Sequence, residues 1–471
     1  MLFNSFVFIF LFLPITLVLY YGLNHFRRYT LAKTLLVLAS LYFYAWFNLS
    51  YLPIILVSIA VNYAAGRCLT ANIGNLWRKL WLVLGICFNI GLLGYFKYTD
   101  FFIENVNALF GSSFMLKHIL LPLGISFFTF QQIAFIIDCY KCKKLLPKFI
   151  DYCNFVTFFP QLIAGPIVLS EEMLPQFEDK KNKKLNYENL FNGLCMFSLG
   201  LVKKVCIADS IAVFAEAGFG FSDCGLTMGE AWLTSLSYTF QLYFDFSGYC
   251  DMAVGIGLLF NILLPKNFDA PYRAVNFKDF WHRWHITLNR FLTMYLYIPL
   301  GGSRKGEYRT CLNIMIIFFI SGFWHGAGWT FIVWGILHGI CMVVNRVWSR
   351  HGRELPDWLG AGITFFFVNI FWVIFRADSM AQALSIIKAM FINTKFAITE
   401  TITSHLSSIL PNKVNMIILF SAMIIGVVGP TAYKLTFENK SYRLKQLLTI
   451  ICFIISILFV SRVVTFLYFN F

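Results

Sequence analysis

The chain has 471 residues, 59% of them apolar and 13% charged, against about half apolar and about a quarter charged in a soluble globular domain. Its net charge is +15 and its mean hydropathy +0.69. So little charge cannot cover a body of this size in water. A water-soluble enzyme, a disordered chain and a nucleic-acid-binding protein are excluded, and the basic excess reads as the bias of cytoplasmic loops.

Apolar stretches of about 20 residues, each able to span about 30 Å of hydrocarbon as a helix, recur along the chain. The first third predicts five spans, at 5–24, 33–49, 51–66, 80–97 and 119–138. The apolar stretch Phe6–Tyr21 is followed by Arg27 and Arg28 and not by a small-residue cleavage site, so it is expected to stay as a span. Basic residues alternate from loop to loop: Arg27, Arg28 and Lys33 after the first span, Arg67, Arg78 and Lys79 after the third, Lys141, Lys143, Lys144 and Lys148 after the fifth. The positive-inside rule then puts the N-terminus outside and the 141–148 loop in the cytoplasm.

The middle third is irregular. Residues 152–170 are apolar but broken by Pro160, Gly165 and Pro166, and basic loops flank them on both sides. That pattern predicts a re-entrant or interfacial segment, tolerated at membrane depth only when buried in protein or lining a wet cavity. Lys203 and Lys204 interrupt 190–218, Asp245 and Asp251 interrupt 231–264, and 265–290 is amphipathic. Further spans are expected near 311–325, 329–347, 357–375, 413–434 and 446–468. The fold class is all-α: a polytopic integral membrane protein of about 11 transmembrane helices, with re-entrant or interfacial helices around a central cavity or tunnel. No linker divides soluble domains, so 1–471 reads as one membrane domain.

Ionisable groups at bilayer depth cost a few kcal/mol and usually have a partner or a task. Three places carry them. His325 lies in Ser321-Gly322-Phe323-Trp324-His325-Gly326-Ala327-Gly328-Trp329, at the junction of two apolar runs. His282 and His285 lie three apart in Phe280-Trp281-His282-Arg283-Trp284-His285 and would share a helix face. Asp245 sits in Gln241-Leu242-Tyr243-Phe244-Asp245-Phe246-Ser247-Gly248-Tyr249. Each also has a structural reading: a helix–helix hydrogen bond for His325, a stretch riding the lipid interface for His282 and His285, and an ion pair with a buried Arg or Lys for Asp245. His338 is read as packing. The 12 cysteines are scattered, mostly within apolar runs, and read as small buried residues. Cys139 and Cys142 form a lone C-x-x-C with no second pair, so no metal is expected. No P-loop, G-x-S-x-G or H-E-x-x-H motif occurs.

Several segments together resemble the membrane-bound O-acyltransferase superfamily, in its bacterial branch of alginate and peptidoglycan O-acetyltransferases. They are Gly124-Ile125-Ser126-Phe127-Phe128-Thr129-Phe130-Gln131, then Phe158 to Ile167, Tyr243 to Tyr249, and Asn267-Phe268-Asp269-Ala270-Pro271-Tyr272. Phe280 to Leu288, Tyr297 to Gly306, and Ser321 to Trp329 complete the set. These core motifs cover most of residues 120–340 in order.

The resemblance implies an enzyme, an O-acyltransferase. It would move an acyl group, expected to be acetyl, from a cytoplasmic thioester to a hydroxyl on the outer side, modifying an exported or cell-wall polysaccharide. The invariant histidine of the family matches His325, and a second functional histidine, in its R-W-H motif, matches His285. No cofactor is expected to be tightly bound; the acyl donor would be acyl-CoA, expected to be acetyl-CoA, or an acyl carrier protein. Expected partners are the lipid bilayer, the exported glycan and a periplasmic or extracellular SGNH-hydrolase-like acetyltransferase, at the bacterial cytoplasmic (inner) membrane. The competing readings are a transporter or flippase of acyl or polyprenyl-linked sugar, and a scaffold of a polysaccharide-secretion complex. A transporter would be expected to carry internal repeats, and none is visible.

Overall fold

The computed structural model describes residues 1–72, 74–142, 146–220, 225–352, 355–393, 412–439, 441–460 and 466–467. Lys143 and Lys144 of the basic loop, and part of the expected 446–468 span, lie outside these residues. Regular structure among the described residues is helical, with no strand. Among the described residues, seven helices are long and apolar enough to cross a membrane: Phe8–His25, Leu49–Thr70, Asn75–Phe110, Tyr187–Gly220, Trp329–His351, Asp357–Arg376 and Tyr442–Phe459. Three shorter apolar helices are Tyr29–Ala45, Met380–Ile392 and Val414–Val428. Length and composition alone thus single out seven crossings among the described residues, where the sequence suggests about eleven.

The chain divides into two compact units, residues 1–197 with 250–265, and residues 198–249 with 266–471. In the first, helices Phe8–His25, Tyr29–Ala45, Leu52–Thr70 and Ile125–Cys142 fall where spans are expected. The fourth is longer than expected. It runs from Asn75 without a stop through a π-helical turn at Gly94–Tyr98 to Phe110.

The Pro-broken stretch behaves as its sequence requires. Helix Phe149–Thr157 ends where Phe158 turns to ψ 107°, and Pro160 then opens the short helix Phe159–Leu162. Every residue from 151 to 170 is buried, so the interrupted backbone is enclosed by protein and not by lipid. The fully buried Asp151 is ion-paired with Lys33. Asn62, Asn89 and Gln132, from three helices, form a buried amide cluster in which Asn89 donates to Asn62 at 2.6 Å. Such bonds replace the hydrophobic drive that lipid cannot supply.

In the second unit, Lys203 and Lys204 open a π-helical turn, Lys203–Ala208, within the Tyr187–Gly220 helix. Lys204 Nζ lies 2.6 Å from Asp245 and 2.7 Å from Asp209. The structural reading of Asp245 holds: it is one arm of a buried ion cluster. Residues 266–306 form short helices in place of an amphipathic stretch lying on lipid. Phe280, Trp281, Trp284, Leu288 and Phe291 of this stretch are buried in protein. Beyond it, Glu307–His325 and Trp329–His351 form a helical hairpin. Glu307 accepts from Arg346 and Arg350, each at 2.5 Å, and ties its open end. Met380–Ile392 is a helix the apolar-run reading did not single out.

Candidate active site

His325 is the last residue of its helix, and Gly326 and Gly328 flank the turn into the next. The two helices meet almost backbone to backbone. A Cβ on Gly322 would stand 2.4 Å from the Phe331 carbonyl oxygen, and one on Gly335 would stand 2.4 Å from that of Phe318. Small residues at a crossing let membrane helices approach this closely. The result holds His325 at a fixed height, 4% exposed. Trp324, Trp334 and Phe375 stand edge-on to its ring at 4.9, 5.1 and 5.4 Å.

His285 arrives by a different route. Asn276 caps the helix Phe277–Arg283 by accepting from the Asp279 N–H at 2.9 Å, and Asp279 pairs with Arg283 at 2.8 Å. The helix ends there. His285 takes a left-handed backbone (φ 45°, ψ 51°) before the next helix, Ile286–Leu292, begins. A left-handed non-glycine residue costs about 1–2 kcal/mol, so surrounding bonds must hold it. The Asn267 carbonyl accepts from Ile286 N–H at 3.0 Å, and Asn267 Oδ1 accepts from Thr287 N–H at 3.1 Å and Thr287 Oγ1 at 2.9 Å.

The same Oδ1 lies 3.3 Å from His285 Nδ1. Both Thr287 donors identify this atom as the amide oxygen, an acceptor, so the proton belongs on Nδ1. The basic lone pair then sits on Nε2, at the opposite edge of the ring. His285 is fully buried, and burial pushes its pKa down to about 3, so the ring is neutral at ordinary pH. Phe246 stands edge-on to it at 4.9 Å.

The two sequence-predicted histidines meet. Their ring centroids are 6.3 Å apart, and Trp324 lies 6.1 Å from His285. Two other expectations divide here. His282 and His285 do not share a helix face, because the helix stops at Arg283; His282 is exposed and His285 is not. His338 is packing, as expected: it is fully buried and accepts from Trp281 Nε1 at 3.3 Å.

A crevice of about 250 Å³ lies in the same unit, lined by Lys278, Trp281, His282, Phe318 and Arg346 among others. Its floor shares Trp281 and Phe318 with the packing around His338. Residues the sequence reading left without a role are Asn267 and the aromatic wall Phe246, Trp324, Trp334 and Phe375. Asn267 stands in one of the matched segments, but only its fold partner Thr287 reveals what it does. No group of three or more His, Cys, Asp or Glu that could hold a metal occurs among the described residues.

Two buried imidazoles side by side among aromatic rings are groups that could transfer a proton or stabilise charge. Residues 139–381 match the family model described as MBOAT, membrane-bound O-acyltransferase. The chain is 51% identical over 420 residues to a peptidoglycan O-acetyltransferase of Helicobacter pylori, covering 83% of this chain and 80% of that protein. It is 39% identical over 416 residues to a probable alginate O-acetylase of Pseudomonas aeruginosa (87% and 78% covered). A teichoic acid D-alanyltransferase of Streptococcus thermophilus is 30% identical over 249 residues (50% and 59%). Family model and relatives agree, and the spans fit them: this multi-pass membrane enzyme is an O-acyltransferase and belongs to the membrane-bound O-acyltransferase family.

Proposed function

We propose that the protein acetylates a hydroxyl of a cell-wall or exported glycan outside the membrane, drawing the acetyl group from a thioester on the cytoplasmic side. The Helicobacter pylori relative, at 51% identity, makes peptidoglycan the first acceptor to test. The donor is acetyl-CoA or an acyl carrier protein, both too large and charged to cross, so only the acyl group need pass. The chain lies in the bacterial inner membrane with its N-terminus outside, as its basic loops suggest. An SGNH-hydrolase-like acetyltransferase outside the membrane is the expected partner, because the described residues include no extramembrane domain large enough to hold a glycan chain.

The observation that carries this reading is the approach of His285 and His325 to 6.3 Å among buried aromatic side chains. His325 acts as general base. It takes the proton of the acceptor hydroxyl as that oxygen bonds to the thioester carbonyl carbon, and the carbonyl π pair moves onto the carbonyl oxygen. When the tetrahedral centre collapses, the C–S bond breaks, and the leaving thiolate takes the proton back from His325. Such general acid–base catalysis contributes about 10²–10⁴-fold. His285, neutral and fixed by Asn267, orients the donor or hydrogen-bonds the developing charge.

The test is a deletion strain complemented with wild type or His325→Ala, with acetyl esters measured on its wall glycan. Esters lost on deletion, restored by wild type and not by an inserted His325→Ala protein support the reading. Unchanged ester content in the deletion strain refutes it.

A further inference from the structure

Burying a hydrogen-bond donor with nothing to receive it is costly, and a folded protein that keeps one usually uses it for a bound group or for chemistry. Two such donors lie beside His325. Ser321 Oγ is buried and meets no hydrogen-bond partner among the described residues, and the same holds for Trp334 Nε1. Ser321 is 1% exposed and Trp334 not at all. Other orphans occur in the chain, at Asn415 for example, but these two are set apart by where they stand. Ser321 lies four residues before His325 on one helix, so both side chains leave the same face. Trp334 reaches His325 from the other arm of the hairpin, its ring 5.1 Å away and nearly perpendicular. The glycine contact at Gly322 and Gly335 holds the two arms that carry these donors in register.

A serine hydroxyl is a natural helix-capping or back-bonding group, and an indole N–H buried in apolar surroundings normally finds a carbonyl. Neither does so here. What they await is an acceptor that arrives with the substrate. We propose that Ser321 Oγ–H and Trp334 Nε1–H donate hydrogen bonds to the acyl carbonyl oxygen as it becomes an oxyanion beside His325. This rests on His325 being the base, and it adds two catalytic residues to that reading. Neither donor transfers its proton. When the acceptor oxygen attacks, the carbonyl π pair becomes an oxygen lone pair that the two hydrogen bonds hold. When the C–S bond breaks, the pair returns to the carbonyl. Donors fixed before the reaction in a dry site lose nothing to reorganisation, and one such donor is worth about 10²–10³ in kcat.

The experiment follows label from radiolabelled acetyl-CoA into the wall glycan in permeabilised cells of the deletion strain, which retain the extramembrane partner and any acyl carrier protein, with each variant expressed at matched amounts of inserted protein. It compares wild type, His325→Ala, Ser321→Ala, Ser321→Thr and Trp334→Phe. The expected result is a fall in kcat of about 10²–10³-fold for Ser321→Ala and Trp334→Phe, with KM changed by less than about threefold. Ser321→Thr, which restores a hydroxyl, should recover most of the serine loss, whereas a packing role would make the larger threonine no better than alanine. Should Trp334→Phe fail to insert, the alanine–threonine contrast at 321 decides alone. Rates within threefold of wild type for Ser321→Ala and Trp334→Phe, with His325→Ala inactive, overturn this inference and leave the base standing. An inactive wild type, or an active His325→Ala, removes the function it rests on and this inference with it.

Discussion

His285 and His325 stand 6.3 Å apart, ring centroid to ring centroid, although forty residues separate them and they are fixed by unrelated devices. One rides on a helix end set by a glycine-lined crossing; the other sits in a left-handed turn laced to Asn267. Their roles should therefore separate under mutation. His325→Ala should insert and fold normally and lose transfer by at least about 10²-fold. His285→Ala should lose a large part of the rate without abolishing it. Equal thermal stability of the purified variants with unequal residual acetylation in the complemented deletion strain is the expected pattern. Wild-type rates in His325→Ala would end its role as base.

Asn267 should act through His285. Its Oδ1 accepts from Thr287 N–H and Oγ1 and faces His285 Nδ1. Asn267→Ala removes the acceptor that keeps the proton on Nδ1, and it releases the left-handed turn. Asn267→Asp keeps an acceptor at the same place. Asn267→Ala is expected to lower kcat about 10-fold or more and to cost about 1–3 kcal/mol of stability. Asn267→Asp should recover stability in part but shift the pH–rate profile, because a carboxylate beside Nδ1 raises the histidine pKa. An unchanged profile for Asn267→Asp would show that the contact does not set the protonation of His285.

A pH dependence of stability follows from the burial of His285. Unfolded, the ring binds a proton near pH 6.5; folded, burial lowers its pKa to about 3. Between these values the unfolded chain binds the extra proton. The stability conferred by the neutral ring is thus full above about 6.5 and is lost as pH falls toward 3, by at most about 1.4 kcal/mol per pH unit. His285→Gln removes this term. The melting temperature of the variant should fall less steeply than that of wild type between pH 6 and 4, measured in one detergent. Parallel curves would show that the ring is accessible to protons while folded.

How much of this was legible in the sequence depended on whether the signal was local. Apolar runs located most of the spans, and Pro160 located the break at Phe158, because length, hydropathy and proline geometry act within a few residues. His325 stands out as a titratable group at the junction of two apolar runs, far from any charged residue in sequence. The pairing of Asp245 was foreseeable in kind, since a buried carboxylate in a span needs a cation, but Lys204 as its partner was not. Spacing misled at His282 and His285, where three-residue separation implied one helix face. The helix instead ends at Arg283, because the Asn267 hydrogen bonds favour a left-handed residue at 285, and no local propensity records a bond from eighteen residues away. The aromatic wall was invisible for the same reason: Trp334 and Phe375 reach His325 only through helix packing.

The hairpin crossing makes a mutational prediction with a sign opposite to helix propensity. Alanine is the better helix former by about 1 kcal/mol, yet a Cβ on Gly335 would lie 2.4 Å from the Phe318 oxygen and 3.0 Å from Gly322 Cα. Backbone cannot yield as a flexible side chain does, so the helices must part. Gly335→Ala is expected to destabilise by about 1–3 kcal/mol and to lower transfer, because His325 and Trp334 move with opposite arms. Gly362, whose Cβ position is open, is the control and should tolerate alanine. Equal melting temperatures for both variants would mean the crossing is looser than its contacts require.

The ion cluster of Lys204, Asp209 and Asp245 makes an asymmetric prediction. Its side chains are 4%, 6% and 2% exposed, and the ammonium serves two carboxylates. Asp245 also accepts from the Leu467 N–H at 3.0 Å, fixing the chain near its C-terminal end. Asp245→Asn leaves Lys204 paired with Asp209 and leaves an amide oxygen for Leu467, so it should cost only about 1 kcal/mol. Lys204→Met is different in kind: it strands two carboxylates in a buried site, and stranding a buried charge costs about 3–5 kcal/mol. Adding Asp245→Asn to Lys204→Met removes one stranded charge and should recover part of that loss, which a double-mutant cycle in thermal melting measures. Phe466 packs at 4.6 Å on Tyr249 and at 6.2 Å on Phe246, the ring that stands against His285. Loss of the cluster should therefore reach His285, and Lys204→Met should lower kcat even in the fraction that remains folded. If Lys204→Met proves no less stable than Asp245→Asn, the lysine is not what holds the carboxylates, and this link to His285 falls with it.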